Sequence, residues 1–144
     1  METTQMGRVV TAAKIESLED WLQCRSGQCK PEEIRTVEVS NALVDTGDMS
    51  LALPTSVINQ LGLQQRGTRP SMTASGPCLA NRYDAVRLTI MGRDCTVDVV
   101  EVPDPVPVQI GLVPLELLDF VVDPKNQCLI GNPEHGGEQI IELY

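Results

Sequence analysis

Asp45, Thr46 and Gly47 stand at the end of an apolar run, Ala42-Leu43-Val44, and form the segment whose residue types and order could most directly carry a reaction. A carboxylate activates water only when its proton affinity suits the task, and a lone exposed Asp, titrating near about pH 4, is a weak general base. Two carboxylates at close range overcome this, because both cannot ionise together and one proton is shared between them. Thr46 supplies a hydroxyl that can lock the turn, and Gly47 permits close backbone approach. The plain alternative is a strand-end turn in which the Asp45 carboxylate bonds local backbone, as Asp commonly does.

Other constellations are weaker. His135 is the sole histidine and sits in Pro133-Glu134-His135-Gly136-Gly137, a turn-rich segment with no nucleophile signature that would make it the base for a Cys or Ser. Cys24 and Cys29 lack a second pair or a nearby His to complete a zinc set, so no metal site is expected. The prolines at 103, 105 and 107 read as a stiff connector between strands.

The 144 residues suit one domain. Lys plus Arg total 11 against 20 Asp plus Glu, a net charge of −9 that argues against binding nucleic acid or anionic lipid. The apolar fraction of 42% is enough for a core, but aromatic residues make up only 3%, so that core must be aliphatic and stacking platforms for bases are not expected. No apolar run reaches the roughly 18–20 residues of a membrane span, and no signal peptide is read at the N-terminus. Five cysteines, odd in number and scattered, suggest reduced thiols and a cytoplasmic setting.

The elements that must position Asp45 are short. Arg8 to Ile15 reads as a strand, and Ser17 to Leu22 as a helical turn with Ser17 as its cap. Ile34 to Val39 alternates as a second strand, and Ala42-Leu43-Val44 follows as a separate short run. After Leu51-Ala52-Leu53, Pro54 opens a helix that carries Val57, Ile58 and Leu61 and stops at Gly62. Residues 68–86 read as a long hairpin tipped by Ser75-Gly76. Val86 to Ile90 and Cys95 to Val102 alternate, Val108 to Ile110 can form a strand, and Pro114 opens a short helix to Leu118. Val121-Val122, Cys128-Leu129-Ile130 and Ile140-Ile141 complete the strands. The pattern predicts a mainly β barrel or sandwich with minor helix. It also hints at an internal duplication, since Gly47 and Gly111 each end an apolar strand ahead of a Pro-opened helix.

Leu43-Val44-Asp45-Thr46-Gly47, Leu51-Ala52-Leu53-Pro54, Leu61-Gly62-Leu63 and, far downstream, Val108-Gln109-Ile110-Gly111 with Pro114-Leu115-Glu116-Leu117-Leu118 resemble the retropepsin-like aspartic peptidases, in particular their small bacterial relatives of clan AA. The resemblance extends from about Gly7 to the C-terminus and takes in Tyr83-Asp84-Ala85-Val86, Gly92-Arg93 and Val122-Asp123-Pro124. It implies a closed β-barrel of the acid-protease fold with one or two short helices, a single domain over residues 1–144 forming half of a two-fold dimer. With one such Asp per chain, a homodimer would bring two copies of Asp45 together, one protonated on the scissile carbonyl and one ionised on water. Thr46 would bond across the axis and Gly47 would leave room for a peptide or protein substrate. The hairpin, with Ser75 and Gly76 at its tip, would act as a flap. Asp48, Leu51, Leu53, Val108 and Ile110 would contact the extended peptide. No cofactor is implied.

Two positions depart from the family's pattern. Asp48 stands where Ala or Ser is usual, and if ionised it should displace activity to higher pH or weaken it. Gln109 replaces an apolar residue and needs a partner if buried, or else faces substrate. The rival implied by these departures is a dimeric peptide-binding module that has lost hydrolysis.

Overall fold

A computed structural model describes residues 8–144. Within them the alternating segments form β1 (Val9–Ser17), α1 (Leu18–Arg25), β2 (Thr36–Val44), β3 (Leu51–Pro54), α2 (Thr55–Leu61), β4 (Gln65–Thr73), β5 (Gly76–Ile90), β6 (Arg93–Val102), β7 (Gln109–Ile110), α3 (Leu112–Leu118), β8 (Phe120–Asp123) and β9 (Cys128–Gly131). Turns of 3-10 helix lie at Pro31–Glu33 and Pro133–His135.

Local chemistry accounts for the helix ends. The Ser17 hydroxyl accepts from the Asp20 amide at 3.2 Å, satisfying one orphan donor of α1. Gly62 closes α2 with φ +65°, a left-handed conformation that disfavours a side chain. Pro54 caps α2 from the last position of β3 instead of entering the helix. Pro114 lies inside the first turn of α3, which opens two residues earlier at Leu112. With α1 counted, the described residues hold three short α-helices where one or two were expected.

Seven strands pair in the order β1-β2-β7-β3-β6-β5-β4, and β1 also pairs with β5, so the pairings from β1 round to β5 return to β1. β8 and β9 form a separate two-stranded sheet. The β2–β7 and β3–β6 pairs are parallel and the remainder antiparallel.

Three expectations change. Ile34–Val39 and Ala42–Val44 are not separate strands: β2 is continuous because β1 pairs along its length, absorbing the irregularity in a bulge between Thr11 and Ala13. The hairpin is longer than residues 68–86, since β5 runs unbroken from the tip to Ile90. Ile140 and Ile141 are not in a strand; the Ile140 amide is instead bonded by the Asp119 carboxylate at 3.0 Å.

The core is aliphatic, as the composition requires. Ile15, Leu51, Leu53, Leu61, Leu88, Ile110 and Leu118 are fully enclosed, and Phe120 is the one aromatic among the buried described residues. Trp21 stays at the surface layer, between Arg25 and Arg87 at 5.0 and 4.7 Å from its ring centre.

Candidate active site

β2 ends where its partner ends. Val44 lies beside Ile110 in the parallel pair, and the Asp45 amide makes the last ladder bond, to the Ile110 carbonyl at 2.9 Å. Beyond it the chain turns: the Asp48 amide reaches the Asp45 carbonyl at 3.1 Å, and the Gly47 amide donates to Asp45 Oδ1 at 3.0 Å. The plain reading of Asp45 as a turn-forming carboxylate is therefore part of the geometry. It also serves the other, because a local bond to one oxygen holds the carboxylate's orientation. Asp45 is half-buried, whereas Thr46 and Gly47 are exposed. Any Cβ at residue 47 would lie 3.3 Å from Asp45 Oδ1, tight enough to disturb that bond.

The following loop is clamped by the start of α3. The amides of Gly111, Leu112 and Val113 donate to the carbonyls of Ser50, Asp48 and Met49 at 2.9, 2.7 and 3.1 Å. Donors that a helix N-terminus leaves unpaired are thus spent on fixing the segment after Asp45. The two Gly-ended strands noted in the sequence meet here, with Gly111 packed on Ser50. Asp48 is half-buried and its Oδ1 accepts from the Ser50 amide at 3.3 Å, so its carboxylate is engaged by its own loop. Gln109 is half-buried in β7, beside Leu43 on one side and Ala52 on the other.

The β4–β5 hairpin carries Ser75, exposed, and Gly76, with φ +115°, at its turn. The Thr73 hydroxyl braces that turn, donating to the Gly76 carbonyl at 3.0 Å and accepting from the Ser75 amide at 3.1 Å. Nearer the hairpin's base, Arg69 Nη1 donates to Ser50 Oγ at 2.8 Å and ties β4 to the loop after Asp45. An open cleft of about 410 Å³ lies between them, walled by Met49, Leu51, Arg69, Val97, Val113 and Leu117 among others.

The expected substrate contacts divide. Leu51 borders the cleft, although at 0% exposure its side chain is enclosed in the core. Leu53, Val108 and Ile110 do not border it: their exposures are 0, 4 and 0%, and they belong to the core. The reason is the sheet's layering: β3, buried at every position, lies between β6 and β7, and β7 in turn lies between β2 and β3. Asp45, Thr46 and Gly47 adjoin the cleft through the chain without lining it.

Three features escaped the sequence reading. Arg69 had no signal beyond its charge, and the clamping amides at 111–113 were hinted at only by the Gly-ended strand. Glu101 accepts from Thr55 Oγ1, Asn81 Nδ2 and Tyr83 Oη at 2.6, 2.9 and 3.2 Å, joining α2, the hairpin strand β5 and β6. The bonds from Thr55 and Asn81 hold its carboxyl below the usual range, while burial and the neighbouring Glu101 charge push the Tyr83 phenol up.

Fold and site together define a mainly β domain that presents a strand-end Asp-Thr-Gly turn near an open cleft to which the hairpin contributes Arg69, an arrangement consistent with an aspartic protease. A family model for aspartyl proteases matches residues 32–133, from just before β2 to the turn after β9, and the chain belongs to that family. No curated protein matches the chain.

Proposed function

We propose that the protein is a retropepsin-like aspartic endopeptidase of the small bacterial kind, whose active site is completed when two copies pair about a two-fold axis. The observation that carries this reading is the Asp45 turn itself: one such carboxylate per chain, half-buried, oriented by Gly47 and anchored to Ile110. The return of strand pairing to β1 supports the closed-barrel form of the fold.

In the pair, one Asp45 is protonated and donates to the scissile carbonyl oxygen. The other is ionised and takes a proton from water as the water oxygen bonds to the carbonyl carbon. The resulting gem-diol collapses as a proton passes to the amide nitrogen and the C–N bond breaks, so one water is consumed and two chain ends are released. Thr46 bonds across the axis, and Gly47 leaves space for the substrate backbone. The peptide lies extended, with Leu51 and Asp48 beside it and Ser75 and Gly76 closing over it; Leu53, Val108 and Ile110 support the pocket floor from the core. The carboxylate pair supplies both acid and base, so the chemistry calls for no cofactor. Five unpaired cysteines support a cytoplasmic setting.

Cleavage of an unbiased peptide library across pH by wild type and Asp45→Asn, with sedimentation of both, tests the reading. Cleavage by the wild type alone, from two equally dimeric proteins, is expected. Dimers without Asp45-dependent cleavage at any pH would instead make this a peptide-binding module, the reading that the Asp48 departure favours. A monomer under all conditions, substrate included, overturns the two-fold site.

A further inference from the structure

At the C-terminal end of α3, opposite the end that clamps the loop after Asp45, both ring nitrogens of His135 meet carboxylates. Nδ1 lies 2.7 Å from Asp119 Oδ2 and Nε2 lies 2.8 Å from Glu142 Oε2. A neutral imidazole carries one N–H and one lone pair, so it can satisfy one carboxylate only; both contacts are attractive together only for the imidazolium. We propose that Asp119, His135 and Glu142 form a proton-operated latch that holds the C-terminal segment against the end of α3 while the ring is charged, and frees it when the ring loses a proton.

The two arms differ in strength. The Asp119 side chain is 9% exposed and closes α3 in a left-handed conformation, φ +60°. Its carboxylate also accepts from the Ile140 amide at 3.0 Å and Asn132 Nδ2 at 3.3 Å. Those bonds, with His135, keep its carboxyl below the usual range. The Glu142 side chain is 78% exposed and sits on a segment without regular structure. When the ring turns neutral, Nδ1–H therefore stays with Asp119, and Nε2 presents a lone pair to Glu142 and lets it go.

The surrounding charges set the direction. Arg93 of β6 approaches from beneath, but its guanidinium donates to the carbonyls of Leu118 and Asp119, both at 2.9 Å, and of Gly137 at 2.6 Å. Glu116 of α3 lines the same cavity of about 590 Å³ as Asp119, His135, Ile141 and Glu142. Glu134 and Glu138 flank His135 along the chain. Bonds to Glu142 first and Asp119 second raise the ring's pKa above its ordinary value despite burial. A raised pKa means that the latch is fully closed below the ordinary histidine range and opens as pH rises through the higher value. The latch does not depend on the peptidase reading.

His135 is the single histidine, so its imidazole signals titrate alone in an NMR spectrum of the full chain. The expected midpoint lies above that of a free histidine, and steady-state heteronuclear NOEs of the Ile141–Tyr144 amides fall across the same pH range. Glu142→Gln, on the exposed segment, should lower the His135 midpoint and leave those amides mobile at every pH. His135→Gln should remove the pH dependence of their NOEs. A midpoint at or below the ordinary value, or segment mobility that ignores the His135 titration, overturns the proposal.

Discussion

The Gly111 amide donates to the Ser50 carbonyl at 2.9 Å, so close that a Cβ at residue 111 would stand 2.5 Å from that oxygen and 2.6 Å from the Asp48 carbonyl. The backbone of Gly111, at φ −88°, would suit any residue, so glycine is required here for space alone. The atoms a side chain would meet are backbone, which cannot swing aside as a rotamer can. Gly111→Ala should therefore destabilise the fold by about 1–3 kcal/mol and displace the loop after Asp45. Urea denaturation measures the first effect, and an unchanged midpoint would show that α3 and the loop separate freely.

Acid should loosen the junction of α1 with β2. Asp20 receives Arg35 Nε and Nη2 at 2.7 and 2.9 Å and the Arg35 amide at 3.0 Å, and these bonds hold its carboxyl below the usual range. A depressed folded-state value means that this stabilisation is present above the unfolded value, roughly pH 4, and is lost as pH falls through the folded one. Asp20→Asn should cost about 1–3 kcal/mol near neutrality and progressively less in acid. Urea titrations at several pH values would refute this if the cost were the same throughout.

Asp48 offers a test of the proposed dyad. Its carboxylate is turned into its own loop by the Ser50 amide, yet it remains three residues from Asp45 in a turn that two copies would bring together. On the peptidase reading, the wild-type activity window lies at higher pH than that of Asp48→Ala, because a nearby ionised carboxylate favours protonation of the pair. Superimposable pH–rate profiles of the two proteins would remove Asp48 from the chemistry.

The thiols should divide by burial. Cys95 is pushed up to about 11, chiefly by burial and then by Asp94, whereas Cys78 is exposed on the hairpin. Since the thiolate is the nucleophile, iodoacetamide at mildly alkaline pH should label Cys78 early and the half-buried Cys95 much more slowly, with the difference removed by denaturant. Equal labelling rates by peptide mass mapping would contradict the partial burial of Cys95.

Particular residues show what could be read without coordinates. Ser17 as a cap, Gly62 as a stop, the Gly76 hairpin turn and the Asp45 turn at a strand end all depend on contacts within a few positions, and the chain carries those rules locally. Period-two alternation likewise identified most strands, because a side chain's face is decided by its immediate neighbours.

What lay beyond reach was pairing between distant segments. Leu53, Val108 and Ile110 look like pocket walls until β3 is enclosed between β6 and β7, and β7 between β2 and β3. Gly111 is ordinary punctuation until Ser50, far away in sequence, packs on it, and Arg69 is one more surface cation until Ser50 Oγ receives it. Ile140-Ile141 has the composition of a strand, but Asp119 claims the Ile140 amide. The sequence by itself thus determined most of the elements, the aliphatic core and the position of the Asp45 turn. Only the tertiary structure decided which strands are enclosed and what anchors the loop beyond Asp45, because those outcomes depend on partners that local pattern does not name.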